Sequence, residues 1–98
     1  MTRKLQKNSH LEELAYISLD DTANQWATFD LGVASALVHL GFELLALGRE
    51  NPKKIKFIFL KNELIEEAIK EYWADKLAVG ARGYFDTIKM LKNRIYSE

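Results

Sequence analysis

Cysteine is absent from the 98 residues, which removes disulfides, thiolate metal sites and a thiol nucleophile together. The chain therefore carries no redox mark of its compartment. No apolar run reaches the roughly 18 residues that cross a bilayer, and residues 1–10 lack the apolar centre of a secretory signal. The expectation is an intracellular, cytoplasmic protein with no membrane partner. Histidine is scarce, with only His10 and His39. His10-Leu11-Glu12-Glu13-Leu14 lacks the second histidine of a zinc-protease helix. His39 falls near an expected helix end, where an imidazolium suits the dipole. The five glycines, Gly32, Gly41, Gly48, Gly80 and Gly83, are scattered, so no loop is built to cradle phosphate. Ser9, Ser18, Ser35 and Ser97 have no nucleophile-elbow context. The pairs Glu12-Glu13, Asp20-Asp21 and Glu66-Glu67 are adjacent, and neighbours on a helix diverge by about 100°, which suits a shared Mg²⁺ poorly. No catalytic residue, metal or cofactor is expected, and the protein reads as non-enzymatic.

What is present is ordinary globular material. Hydrophobic residues make up 48% and charged residues 29% of the chain, a balance that disfavours disorder and, at this length, supplies one modest core. The net charge is zero, but its signs are segregated. Arg3, Lys4 and Lys7 are followed by Glu12, Glu13, Asp20 and Asp21. Arg49, Lys53, Lys54, Lys56 and Lys61 precede Glu63, Glu66, Glu67, Glu71 and Asp75, and Arg82, Lys89, Lys92 and Arg94 close the chain. Such alternation usually marks solvated faces.

Residues 1–8 are polar and basic without periodicity, and residues 1–25 read as a polar leader before a single domain over 26–98. Ser9 and Glu12 fit a capping box opening a short helix at about 10–16, while Tyr16-Ile17-Ser18-Leu19 could equally form a strand. From Asp30 the apolar residues Leu31, Ala34, Leu37 and Val38 recur at helical spacing, with Thr28 or Asp30 as cap and Gly41 as the left-handed stop. This predicts a helix over 30–40. Two strand-like runs, 42–47 and 54–60, flank the turn formers Gly48-Arg49-Glu50-Asn51-Pro52-Lys53. Ile55, Phe57 and Phe59 share one face of the second run, and Lys54 and Lys56 take the other. That run hands over at Asn62, a helix cap, to a stripe of Ile65, Ala68, Ile69, Tyr72 and Trp73. The helix is expected over 63–76, and a last one over 81–96 carries Tyr84, Ile88, Leu91 and Ile95. A bare hairpin is marginal alone, so a third strand at about 25–29, or a partner chain, is needed. The fold class is α+β, with the helices on one face of a small antiparallel sheet.

Two kinds of partner fit these residues. Arg49, Lys53, Lys54 and Lys56 of the hairpin, with Arg82, Lys89 and Lys92 of the last helix, could contact phosphates. A sequence pI near 6.7 is low for a dedicated nucleic-acid binder. Trp26, Tyr72, Trp73 and Tyr84 are the large amphipathic rings that favour a protein interface. An open sheet edge would also allow pairing with another copy. The leading expectation is an interaction module within a protein or nucleoprotein assembly, with direct nucleic-acid binding second and a metal-dependent enzyme a distant third.

The order of Thr28-Phe29-Asp30-Leu31, Gly41-Phe42, the hairpin, Tyr72-Trp73, Val79, Arg82, Phe85 and Leu91-Lys92 resembles the small family called domain of unknown function 5659, which occurs in phages, archaea and bacteria. The resemblance covers about residues 26–96 and lies in the order of the motifs. It implies no activity. It does imply association with a virus or mobile element, and hence a nucleic-acid or host-protein partner. The leader of roughly 25 residues departs from the family pattern. Arg82, at a helix start where a cation opposes the dipole, should find a carboxylate from Asp75 or Glu71, or a ligand phosphate.

Overall fold

The computed structural model describes residues 22–97. The expectations for a helix at 10–16 and a strand at 16–19 lie outside the described residues. After a single 3₁₀ turn at Thr22–Asn24 come β1 (Gln25–Thr28), α1 (Leu31–His39), β2 (Leu44–Gly48), β3 (Lys56–Leu60), α2 (Glu63–Trp73) and α3 (Ala81–Tyr96). The three strands form one antiparallel sheet in the order β1-β3-β2. The third strand that the hairpin needed is β1, and the helices pack on the sheet as an α+β domain.

The register explains which face is buried. Phe59 lies between Trp26 of β1 and Leu44 of β2, and Phe57 lies between Thr28 and Leu47. As the middle strand, β3 leaves both phenylalanines no open flank, and they are 2% and 0% exposed in chain order. Val33, Ala34 and Leu37 of α1, Ile65 and Ala68 of α2, and Leu91 of α3 close over them. The opposite face carries Lys56, Ile58 and Ala46. Between Leu44 and Ala46 the pairing slips by one residue, so Leu45 is a bulge in the edge strand.

Helix α1 is the centre of the helical layer and packs against both α2 and α3. Its residues Val33 to Leu37 are all buried, as expected of a helix with no charged polar face. Asp30 is the cap in use, accepting the Val33 N–H at 2.9 Å, while Thr28 Oγ1 accepts the Asp30 N–H at 3.1 Å. Both candidate residues thus shape the start. At the other end Gly41 has φ of 101°, and bonds from Gly41 N to Val38 O and from Phe42 N to Leu37 O, each 3.0 Å, complete a Schellman stop. Asn62 caps α2 by accepting the Leu64 N–H at 2.8 Å.

Helix α2 ends at Trp73, three residues short of the expected 76. Asp75 takes the left-handed position with φ of 61°, and its N–H and that of Lys76 turn back to the carbonyls of Tyr72 and Glu71. The stop was illegible because it uses aspartate where glycine is usual.

Candidate functional site

The expected basic residues lie on two elements, the hairpin and α3. Arg82 and Lys92 stand exposed on α3. Arg82 pairs within its own helix, its Nε 4.0 Å from Asp86 Oδ2, so the expected bridge to Asp75 or Glu71 is replaced by a neighbour one turn on. Both partners are largely solvated, and such a pair is worth little. Lys89 lies over the ring of Phe85 at 5.1 Å.

The hairpin cations do converge, in a cleft of about 560 Å³ between the β1–α1 junction, the β2–β3 loop and the carboxyl end of α3. Its size lies within the about 300–1,000 Å³ range of small-ligand pockets. Leu31, Ile55, Phe57 and Ile95 contribute its apolar lining, Arg49, Lys53 and Lys54 its charge, and Phe29 and Tyr96 its aromatic walls. Phe29 is 54% and Tyr96 81% exposed. No carboxylate lines the cleft among the described residues.

Local chemistry builds each wall. Thr28 and Trp26 face the core, so the alternation of β1 turns Ala27 and Phe29 outward. Lys56 opens the neighbouring strand with the same outward parity, and Lys54 lies two residues before it in the loop. Their ammonium groups accordingly lie 6.0 Å and 5.4 Å from the Phe29 ring centre, in reach of a cation–π attraction. In the loop, Asn51 Oδ1 accepts the Lys53 N–H at 2.9 Å and Asn51 O accepts the Lys54 N–H at 3.2 Å. This turn over Pro52 aims the lysines.

Arg49 has a different task. Its guanidinium donates to the carbonyl of Ile95 at 3.0 Å and to that of Arg94 at 3.2 Å. The carboxyl end of a helix carries about half a negative charge, and here it borders the cleft. Arg49 satisfies those carbonyls and offsets a charge that would repel an anion. Phe29 and Tyr96 escaped the sequence reading, although the parity of β1 against Lys54 and Lys56 was the signal for the first.

The aromatic residues expected at a protein interface divide. Trp26 packs at 6.2 Å from Phe59 as part of the core wall. Tyr72, Trp73 and Tyr84 gather with Ala36, Leu77 and Val79 around a groove of about 430 Å³. Trp73 is 66% exposed and stands edge-on to Tyr72, with ring centres 5.0 Å apart. The Tyr84 hydroxyl donates to Gly32 O at 3.1 Å. Burial, foremost, and a hydrogen bond to Tyr84 push the Tyr72 hydroxyl up to about 12. With the Tyr84 proton committed to Gly32 O, Tyr72 is the donor and Tyr84 the acceptor between the two phenols, giving a relay from Tyr72 through Tyr84 to the α1 backbone.

No group of three or more histidine, aspartate or glutamate side chains is gathered for a metal ion among the described residues, and none of their helices is long and apolar enough to cross a membrane. Neither the curated proteins nor the solved structures hold a match to this chain. The model of the family described as domain of unknown function (DUF5659) matches residues 23–97, which spans the whole sheet, all three α-helices and all but the first residue of the 3₁₀ turn. The chain belongs to that family.

Proposed function

We propose that the protein is a small non-enzymatic binding module whose cleft engages an anionic chain within a protein or nucleoprotein assembly. The observation that carries this reading is the convergence of Arg49, Lys53 and Lys54 on one concavity without a lining carboxylate among the described residues, with Lys56 beside its Phe29 wall. A concave cluster of one sign focuses its field on an oppositely charged partner. The cytoplasmic setting and the association with a phage or other mobile element, which the family resemblance implies, belong to the same proposal, because such settings supply polyanionic partners. Self-association through the outer edges of β1 or β2, which pair with no strand among the described residues, is also part of it and is read by light scattering of the full chain.

Retention on immobilised heparin tests the charge reading. The wild-type chain should be retained at low salt, and Lys53→Glu with Lys54→Glu should elute early, while Lys92→Glu, outside the cleft, should elute near wild type. Coincident elution of the wild type and the loop variant would sink the proposal.

Exposed Trp73 beside its groove supports a second reading, a protein partner anchored by that ring. Such a contact would persist at high salt and be lost in Trp73→Ala, whereas contact through the cleft would fade as salt rises.

A further inference from the structure

We infer that the anionic chain held by the cleft is a single strand of nucleic acid, its bases stacking on Phe29 and Tyr96 and its phosphates meeting the hairpin lysines. This inference rests on the proposed anion-binding role of the cleft and adds the ligand class.

The aromatic walls make the choice. Both rings are more than half exposed at a basic site, and every nucleobase offers a π-face to such a ring irrespective of its identity. A duplex keeps its bases stacked inside and could use only the lysines. An acidic peptide likewise satisfies the charge but leaves both rings in water. The lysines are placed for the backbone of a strand whose base lies on Phe29, since Lys54 and Lys56 sit within 6.0 Å of that ring's centre. Apart from the Tyr96 phenol, no uncharged polar side chain lines the cleft among the described residues. Base edges would therefore go unread, and binding should tolerate any sequence.

Charge complementarity also limits the strength. Lys53, Lys54 and Lys56, with or without Arg49, neutralise about three or four phosphates, and each adds about −0.7 to the salt slope on a single strand. The slope of log affinity against log salt should fall between about −2 and −3.

The test is fluorescence anisotropy on the full chain with four probes: an oligothymidylate of about 12 nucleotides, which suits such sites, a duplex hairpin of equal length, heparin as competitor, and polyglutamate as competitor. The oligothymidylate should bind roughly tenfold more tightly than the duplex, the range that stacking of one base supplies. Tyr96→Ala should weaken the oligothymidylate roughly tenfold and leave heparin affinity unchanged. Because Tyr96 is largely exposed, its removal should not shift the melting temperature, which is checked on the same sample. Equal binding of duplex, polyglutamate and oligothymidylate, or an unaltered Tyr96→Ala, would overturn the single-strand inference while heparin binding through the lysines preserved the broader reading. Failure to bind any of the four would overturn both.

Discussion

The Tyr84 hydroxyl reaches across from the first turn of α3 to the Gly32 carbonyl in the first turn of α1, 3.1 Å away and 52 residues earlier in the chain. Tyr72 of α2 joins the same point, so one pair of phenols ties three helices together. Gly32 admits the phenols, because a side chain there would collide with the Tyr72 hydroxyl. Tyr84→Phe should cost about 1 kcal/mol by removing the bond to the Gly32 carbonyl, which keeps its partner within the helix, and the acceptor beside the Tyr72 hydroxyl. Gly32→Ala should cost more, since the Tyr72 ring must move. Thermal denaturation checks both, with about 4–8 °C expected per kcal/mol at this chain length.

The same relay sets a response to alkali. Tyr72 is held up at about 12 in the folded chain and titrates near 10 when unfolded. Above pH 10 the unfolded state therefore releases a proton that the native state keeps, and stability falls with rising pH. The contribution is fully present below pH 10 and is gone above about 12, a loss on the order of 1 kcal/mol once solvent screening is allowed for. Tyr84→Phe should flatten this limb of the stability–pH curve measured by urea denaturation, and an unchanged limb would contradict the relay.

Ser35 is fully buried in α1, and its hydroxyl has no hydrogen-bond partner. An orphaned hydroxyl in a core costs about 1–3 kcal/mol. Ser35→Ala removes that cost together with a small packing contribution, and should leave stability unchanged or raise it by about 1 kcal/mol. A melting temperature lowered by several degrees would show that the hydroxyl has a native partner after all.

Arg49 and Arg82 make a controlled comparison of two cations at the ends of one helix. Arg49→Ala should destabilise by about 1–2 kcal/mol, because it frees two terminal carbonyls of α3 and its dipole end. Arg82→Ala should change stability by less than about 0.5 kcal/mol, since its pair with Asp86 is solvated. Equal effects in a denaturation series would refute the clamp assigned to Arg49.

Legibility in the sequence followed the range of the interactions. The caps at Asp30, Gly41 and Asn62, the stripe of α3 and the alternation of β3 are local patterns, and each was readable from a few neighbouring residues. The central place of β3 was only half legible, because a possible strand at 25–29 does not say which neighbour it joins. The place of Trp26 was hidden for that reason: once β1 pairs with β3, Trp26 lies across from Phe59 and packs against the core. The cleft was less legible still. Phe29, the lysine loop and Tyr96 come from three separate segments, and nothing local in any of them announces the other two. The basic residues of α3 looked equivalent to those of the hairpin in the sequence, yet the fold turns Arg82 and Lys92 to open solvent.

The Arg49 clamp also fixes when the cleft can exist. Its donors lie in the β2–β3 loop and its acceptors 45 and 46 residues later, in the last turn of α3. On a ribosome the lysine loop and Phe29 are made well before that turn emerges, and chains are synthesised at about 5–20 residues per second. For that interval the loop is without its opposite wall, and the cleft is unfinished. Under the proposed binding role, a partly made or truncated chain lacking α3 presents the lysine loop and Phe29 without the wall that Ile95 and Tyr96 supply.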